Sequence, residues 1–285
     1  MLNGWVVSNA FLNNNKFSEL SSWLIEAAAK QNVNLHAVDN AALSTGDFDM
    51  LPDFVVFWDK DIYLAKSLEA LGLRLFNSSR AISLCDDKAL TYLILKKEDI
   101  KMPTTIIAPK TYEHIGYTNL DFLDGFVDKL GFPLVIKECF GSFGQQVYLV
   151  NNYQELIEKV KSIGAKPMLF QQFIKNSAGR DIRINMVGDT PVASMLRYSV
   201  NGDFRANISS GGQMQAYTPT DAQCEMAYNA CRALGLDFAG VDILFGEDDQ
   251  PILCEVNSNP HFKSVYQCTG VNVADKIIEY IKERI

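Results

Sequence analysis

Three oxygen-bearing side chains near the carboxy-terminal end of the chain have a spacing that suits a metal ion. Asp242 lies in the apolar segment GVDILFG, and Glu255 and Asn257 lie in the next apolar segment, PILCEVN. Residues at i and i+2 of a strand point to one face, so the three groups converge if the two segments pair. Carboxylate and amide oxygens suit a hard cation such as Mg²⁺, which shares its other positions with water and phosphates.

The alternative is that these are polar strand-end residues in solvent. Burying acids within segments such as VDILF and LCEVN costs free energy unless something pairs them, which favours the metal site.

A second candidate site is the segment IKECFGSFGQQV. Lys137 ends an apolar strand there, and Gly141, Ser142 and Gly144 form a turn before the next strand. Glycine lets backbone N–H groups approach phosphate oxygens, and the lysine supplies a positive charge. Because a glycine-containing turn between strands is usually a plain hairpin, the segment indicates a phosphate site only together with its neighbours.

A third candidate is the polar segment GDFRANISSGG, which holds Arg205, Asn207 and a glycine pair. Arginine suits bidentate binding of phosphate or carboxylate, and paired glycines allow close approach of a ligand. An exposed loop is the alternative. Asp181 and Arg183, two residues apart in RDIRI, are likewise open to interpretation as a surface ion pair that stabilises little.

The composition is that of an ordinary folded protein. The 285 residues are 48% hydrophobic and 21% charged, and this length predicts two or three packed subdomains with a ligand cleft between them. A net charge of -8 argues against nucleic-acid and anionic-membrane partners. Six cysteines without a CxxC pair and only three histidines argue against zinc and Ser-His-Asp chemistry.

A cytoplasmic location is expected. The first residues lack the pattern of a secretory signal, and no apolar run approaches the roughly 18 residues of a membrane-spanning helix.

Hydrophobic periodicity predicts an α/β protein in three parts. Residues 1–82 are predicted to form a small amino-terminal domain. Its strands alternate with helices, which implies a parallel sheet. Its predicted elements are the strands GWVVSNA, NLHAV, DFVVFWD and LRLFN and a helix over 16–31.

Residues 83–171 are predicted to form a central subdomain that carries the glycine turn. Its predicted elements are helices over 86–97, 119–130 and 154–163 and the strands TTIIA, FPLVIKE, QVYLV and PMLFQQFI. The acidic pair Asp86 and Asp87 caps the first of these helices, so Lys88 lies in its first turn.

Residues 172–285 are predicted to form a carboxy-terminal subdomain that carries the metal site. The strands RDIRINMVG and TPVASMLRYSV meet at Gly188 and Asp189, a dipeptide suited to a hairpin turn. The other predicted elements are helices over 219–234 and 271–283 and the strands GVDILFG and PILCEVN.

The ordered combination of these segments resembles the ATP-grasp superfamily and, within it, the RimK-like amino-acid ligases. The segments that carry the resemblance are DDK at 86–88, VIKECFGSFGQQV, FQQFI, GRDIR, GDFRANISSGG, GVDIL and CEVNSNP. It runs from about residue 77 to the end of the sequence, and the preceding α/β unit resembles the small amino-terminal domain of these enzymes. The resemblance implies two ATP-grasp subdomains that enclose a nucleotide.

The resemblance also implies roles for single residues on the nucleotide side. Lys88 and Lys137 correspond to the lysines that contact ATP phosphates, and the turn at 141–144 corresponds to the flexible loop that closes over them. Gln172 and Phe173 match the segment that meets the adenine. The family commonly has glutamate where Gln172 stands, and glutamine can hydrogen-bond there without charge.

Further roles are implied on the reacting side. Asp181 falls where the family contacts the ribose, and Arg205 with Asn207 falls where it contacts phosphate and the reacting carboxyl group. Asp242, Glu255 and Asn257 match the metal ligands, for Mg²⁺ or alternatively Mn²⁺.

The implied reaction is ATP-dependent joining of a carboxylate to an amine. The carboxylate attacks the γ-phosphate to give an acyl-phosphate, and the amine then displaces phosphate, with Lys137 and Arg205 spreading the developing charge. Glutamate or a related amino acid is the expected substrate, with an amino acid or peptide as its partner. Homo-oligomers are common among such enzymes.

Two other functions remain open at this stage. An ATP-binding regulator without catalysis would keep the lysines and glycines but would have less need of the whole charge set. An ATP-grasp kinase would phosphorylate a hydroxyl group and would form no acyl-phosphate.

Overall fold

The computed structural model describes residues 1–12, 15–46, 48, 50–142, 144–208 and 211–285. These residues form three β-sheets with helices packed against them, so the mixed α/β class is confirmed.

The amino-terminal sheet is parallel, as predicted, with strand order β2-β1-β3-β4. Its strands are β1 (Leu2–Ser8), β2 (Val33–Asp39), β3 (Phe54–Phe57) and β4 (Arg74–Phe76). All four residues of β3 are buried, as a strand covered on both faces requires. The helices are α1 (Asn15–Lys30), α2 (Ile62–Ala70) and α3 (Ser79–Asp86), of which only α1 was predicted.

The central sheet is antiparallel, with strand order β5-β8-β6-β7. Its strands are β5 (Thr105–Ile107), β6 (Leu134–Glu138), β7 (Val147–Val150) and β8 (Met168–Gln172), and helices α5 (Phe122–Leu130) and α6 (Tyr153–Ile163) pack on it. Helix α4 (Lys88–Lys97) precedes β5 and buries Leu95 in the core of the carboxy-terminal sheet. The Asp87 carboxylate caps α4 by accepting from the N–H groups of Ala89 and Leu90. Lys88 therefore lies in the first turn of α4, as predicted.

The carboxy-terminal sheet is also antiparallel, with strand order β11-β10-β9-β12-β13. Its strands are β9 (Arg180–Val187), β10 (Thr190–Tyr198), β11 (Gln213–Ala216), β12 (Phe238–Phe245) and β13 (Pro251–Asn257). Its helices are α7 (Asp221–Leu234), α8 (Lys263–Thr269) and α9 (Val273–Lys282). The predicted hairpin at Gly188 is confirmed, since β9 pairs with β10 there.

The amino-terminal and carboxy-terminal sheets share one hydrophobic core. Val6, Leu24 and Phe76 pack in the same cluster as Phe238 and Ile277. The central sheet has a separate core built from its own strands and helices. The predicted boundary after residue 82 falls inside α3, and the division into domains stays a prediction.

Among the described residues, none of the helices combines the length and the apolar character needed to cross a lipid bilayer.

Candidate functional site

Strands β12 and β13 bring the three predicted metal ligands together. Asp242 lies directly opposite Glu255 in the antiparallel register, and Asn257 lies opposite Gly240. In the amide orientation that satisfies both of its polar atoms, Asn257 donates a hydrogen bond from Nδ2 to Glu255 Oε1 over 3.0 Å. The predicted convergence of the three side chains is therefore present in the fold, and their role as metal ligands stays a prediction.

A buried network of alternating charges lies beside these residues. Arg183 donates to both carboxylate oxygens of Asp242, with 2.7 Å between Nη2 and Oδ2. Arg197 reaches the same Oδ2 from 3.0 Å and holds Asp181 through two bonds of 2.6 and 2.8 Å. The network therefore runs in the order Asp181, Arg197, Asp242 and Arg183 across three neighbouring strands.

The interpretation of Asp181 and Arg183 as a surface ion pair is wrong. Both residues lie on β9, where Asp181 pairs with β10 and Arg183 pairs with β12. The side chains of Asp181 and Arg183 are only 10% and 11% exposed. Arg197 was not singled out from the sequence, because an arginine in an otherwise apolar strand has no spacing that identifies its partner.

The charge of Asp242 is set by two opposing effects. Burial raises the pKa of its carboxyl group, but Arg183 and Arg197 together lower it by more, so the pKa lies below its ordinary value. Asp242 is therefore ionised at neutral pH. Among the described residues, Arg183 alone donates a hydrogen bond to its Oδ1, which leaves a lone pair on that oxygen.

The donor set fits Mg²⁺ by its chemistry. Two carboxylates and an amide oxygen from Asp242, Glu255 and Asn257 supply oxygen ligands alone, as a hard cation prefers. Within the part of the chain that the structure describes, no group of three His, Cys, Asp or Glu side chains could hold a metal. A cation here would consequently depend on the Asn257 amide and on oxygens that a ligand brings.

A narrow cleft lies between the central sheet and β13. Lys88 from α4, Lys137 from β6 and Glu255 from β13 line it, so three distant segments meet at one cavity. Its other lining residues are mostly apolar and include Tyr92, Leu95, Met102, Leu169, Leu253 and Cys254. An apolar wall beside two ammonium groups suits a flat aromatic base that carries an anionic tail.

The two lysines of the cleft have no carboxylate partner among the residues that the structure describes. None of the ion pairs found among the described residues includes Lys88 or Lys137. Lys137 is buried, and its Nζ lies 3.9 Å from Cys254 Sγ. Burial raises the pKa of the Cys254 thiol to about 11 although Lys137 opposes the shift, so the thiol is neutral. An anionic ligand would satisfy both ammonium groups.

The glycine turn contacts residues from the other parts of the site. Lys88 Nζ donates to the Gly141 carbonyl over 3.3 Å, and Arg205 Nη1 donates to the Gly144 carbonyl over 2.8 Å. Gly144 has φ +70°, and a Cβ at that position would lie 2.9 Å from Asn207 Nδ2. Position 144 therefore requires glycine both for its conformation and for the close approach of Asn207.

Comparison with protein-family models matches residues 85–281 to the RimK-like ATP-grasp domain. This chain belongs to the RimK-like ATP-grasp family. A probable alpha-L-glutamate ligase of Citrobacter koseri is 36% identical over 76% of this chain and 70% of its own length. An uncharacterized Mycoplasma pneumoniae protein, the MG012 homolog, is 30% identical over 97% of this chain and 98% of its own.

A third relative is longer than this chain. Beta-citrylglutamate synthase B of Danio rerio is 32% identical over 78% of this chain, and the match spans 54% of the relative's length. This chain therefore covers only about half of that protein.

Solved structures agree on the fold. A D-alanine–D-alanine ligase from Bacillus anthracis superposes with a TM-score of 0.77 at 20% identity, covering 100% of this chain and 99% of the other. A RimK domain ATP-grasp protein from Sphaerobacter thermophilus gives 0.75 at 21% identity, covering 98% of each chain. The predicted ATP-grasp fold is confirmed.

The residues predicted to meet adenine in this RimK-like fold lie at the end of β8. Gln172 Oε1 accepts a hydrogen bond from Thr104 over 3.2 Å, and the Phe173 ring packs edge-on against Phe204. The cleft itself is lined by the preceding residue, Gln171, whose amide donates to Thr105 over 2.9 Å. Sequence reasoning missed Gln171, although the alternation of side chains along β8 distinguishes it from its neighbour.

The predicted ribose contact, Asp181, is held in the buried network. Each of its carboxylate oxygens accepts a hydrogen bond from Arg197. A ribose contact stays a prediction, and it would have to use the lone pairs that Arg197 leaves.

Proposed function

We propose that this RimK-like ATP-grasp protein is an ATP-dependent carboxylate–amine ligase that forms an amide through an acyl-phosphate and releases ADP and phosphate. The observation that supports it most is the cleft lined by Lys88, Lys137 and Glu255, in which neither lysine has a carboxylate partner among the described residues. Relatives named for glutamate ligation and for citrylglutamate synthesis favour glutamate or a related amino acid as one substrate.

The cleft would bind ATP through both of its surfaces. Tyr92, Met102 and Leu253 offer an apolar surface for the base, while Lys88 and Lys137 offer charge-assisted hydrogen bonds to phosphate oxygens. Because neither lysine pairs with a carboxylate among the described residues, binding phosphate breaks no such ion pair, and the binding energy is available to hold the nucleotide.

Asp242, Glu255 and Asn257 would hold Mg²⁺, or alternatively Mn²⁺, which would neutralise charge on the phosphates as the carboxylate attacks. Arg183 and Arg197 keep Asp242 ionised for that role, because they lower its pKa.

Arg205 would act on the reacting carboxyl group. The Asp203 carboxylate accepts from Arg205 Nε over 3.1 Å and from Nη2 over 2.8 Å, while Nη1 donates to the glycine turn. A guanidinium fixed on two sides can aim its charge at the oxyanion that forms when an amine attacks the acyl-phosphate. Water must be kept from that intermediate, and the glycine turn would cover it.

The test is amine-dependent release of ADP. Purified protein with ATP, Mg²⁺ and glutamate should release ADP faster when an amine acceptor is added, and hydroxylamine should trap the acyl-phosphate as a hydroxamate. Phosphorylation of a hydroxyl group without hydroxamate would indicate a kinase, and nucleotide binding without turnover would indicate a regulator.

Replacing Glu255 with alanine should lower turnover at least about a hundredfold, because a metal ligand is lost. The matched control is Glu225→Ala on the exposed face of α7, which should keep normal turnover. Near-normal turnover in Glu255→Ala, with the fold checked by circular dichroism, would contradict the assignment.

A further inference from the structure

Lys60 connects the amino-terminal domain to the glycine turn. Its Nζ lies 3.3 Å from the Ser142 hydroxyl oxygen and 2.5 Å from Asp86 Oδ1. Lys88 contacts the neighbouring residue of the same turn, Gly141. Two ammonium groups from different parts of the chain therefore contact consecutive residues of the segment proposed to cover the phosphates.

Hydrogen bonds hold the backbone of Lys60 close to the residues that follow β13. The buried Asp59 carboxylate accepts from the Lys60 N–H over 2.7 Å and from the Asn9 amide over 3.2 Å. The Asp59 carbonyl accepts from Asn259 Nδ2 over 3.0 Å, and Asn259 follows the proposed metal ligand Asn257 by two residues. Lys60 thus originates between the carboxyl edge of the parallel sheet and the end of β13, where ligands of such sheets commonly bind.

The present partners of Lys60 hold it weakly. The side chains of Lys60 and Asp86 are 39% and 21% exposed, and an ion pair of this kind contributes little to stability. A hydroxyl oxygen is also a poorer partner for an ammonium group than a phosphate oxygen. The four-carbon stem lets the ammonium group turn toward a nearby anion at small cost.

We propose that Lys60 is a third phosphate-binding lysine, which contacts the terminal phosphate of ATP and the acyl-phosphate formed from it. The proposal rests on the proposed function. Lys60 does not line the cleft that offers an apolar surface to the base, and it approaches the glycine turn from the amino-terminal domain. The end of the triphosphate far from the base is therefore the part that it meets.

The competing explanation is that Lys60 only ties the domains together through Asp86. The two explanations differ for Asp86→Asn. If Lys60 acts only through its ion pair with Asp86, Lys60→Gln and Asp86→Asn should have equal effects. If Lys60 binds phosphate, Lys60→Gln removes the binding group, whereas Asp86→Asn frees the Lys60 ammonium group to bind phosphate.

The experiment compares the binding of ADP and of the non-hydrolysable β,γ-imido analogue of ATP by calorimetry with Mg²⁺. Lys60→Gln should weaken binding of the analogue roughly ten- to hundredfold, the effect of one charge-assisted hydrogen bond, while ADP binding stays near normal. Lys60→Arg should restore most of the loss. Asp86→Asn should bind the analogue at least as tightly as the unaltered chain. Lys66→Gln, an exposed lysine of α2, is the matched control and should change neither affinity.

Two results would overturn the inference while leaving the proposed function intact. One is that Lys60→Gln binds the analogue as tightly as the unaltered chain. The other is that Lys60→Gln and Asp86→Asn weaken both nucleotides to the same degree, as a structural tie requires. Failure of the unaltered chain to bind either nucleotide would instead refute the proposed function, and the role of Lys60 with it.

Discussion

Single buried arginines set the electrostatics of the candidate site. Asp181 and Asp242 would both be costly to bury as isolated anions, and Arg197 contacts the two of them at once. Removing one member of such a network leaves an uncompensated charge in a place that water reaches poorly, which costs more than the lost hydrogen bonds alone.

Replacing Arg197 with methionine should therefore lower the free energy of unfolding by about 3–5 kcal/mol, because both aspartates lose a buried counter-charge. Urea denaturation followed by circular dichroism measures the change. Arg180→Met is the matched control, since Arg180 pairs with Asp249 at the surface and should cost no more than about 1 kcal/mol. Equal, small losses in both variants would show that the network adds little to stability.

The thiol of Cys254 offers a pH-dependent test of the cleft. Its pKa is raised to about 11 by burial, with Lys137 opposing the shift. The reactive thiolate is therefore scarce at pH 8 and increases as the pH rises toward 11, so alkylation of Cys254 by iodoacetamide should accelerate over that range. Peptide mapping by mass spectrometry measures the labelling of this residue. Fast labelling at pH 7 would show that the pKa of the thiol lies well below 11.

At the scale of elements, hydrophobic periodicity was sufficient to predict a strand or helix where the segment was apolar and its pattern was clear. The pair β12 and β13 was predicted from two apolar segments, and it brought Asp242, Glu255 and Asn257 together as expected. The strand β11 was missed because its sequence, QMQA, is mostly polar and lies at the sheet edge. The seven-residue helix α8 was missed because so short a segment shows little helical periodicity.

Contacts between distant segments were beyond sequence reasoning for a different physical reason. Lys60 and Ser142 are 82 residues apart, and their contact depends on how the sheets pack against one another. Arg197 reaches Asp181 and Asp242 only because β10, β9 and β12 pair in one particular register. Local propensity contains no information on either arrangement.

The glycine turn is the element expected to respond to nucleotide. Amide hydrogen exchange of the peptide covering residues 141–146 should slow when ATP and Mg²⁺ are added, because the phosphates would accept hydrogen bonds from the turn. Exchange in α9 serves as the internal reference, because this helix packs in the core shared by the amino-terminal and carboxy-terminal sheets. Similar exchange in the turn with and without nucleotide would count against its closing over the ligand.

At the scale of the whole molecule, Asn77 joins the amino-terminal and carboxy-terminal parts through fully buried hydrogen bonds. Its Nδ2 donates to the carbonyls of Phe238 and Ser258 over 2.9 Å each, and its Oδ1 accepts from the N–H groups of Asp237 and Phe238. Phe76, which precedes Asn77, and Phe238 both belong to the core that the two parts share.

Asn77→Ala should lower the free energy of unfolding by at least about 2 kcal/mol, because it leaves several buried backbone groups without partners. The matched control is Asn34→Ala, which removes an exposed side-chain hydrogen bond to Asn3 and should be nearly neutral. Chemical denaturation measures both. A neutral Asn77→Ala variant would mean that water replaces these bonds and that the two parts are less tightly joined.

Because the central sheet has a separate core, it can move as a rigid body relative to the other two sheets. The amino-terminal and carboxy-terminal sheets share one apolar core, whereas the central sheet with α5 and α6 has a core of its own. Leu95 of α4 and the nearby Met102 pack against the carboxy-terminal sheet and connect the two bodies. We therefore expect the central sheet with α5 and α6 to rotate relative to the other two sheets when a nucleotide enters the cleft. Energy transfer between a fluorescent donor on α6 and an acceptor on α7 should change when nucleotide is added. Energy transfer between a pair placed on α2 and α9 should not change.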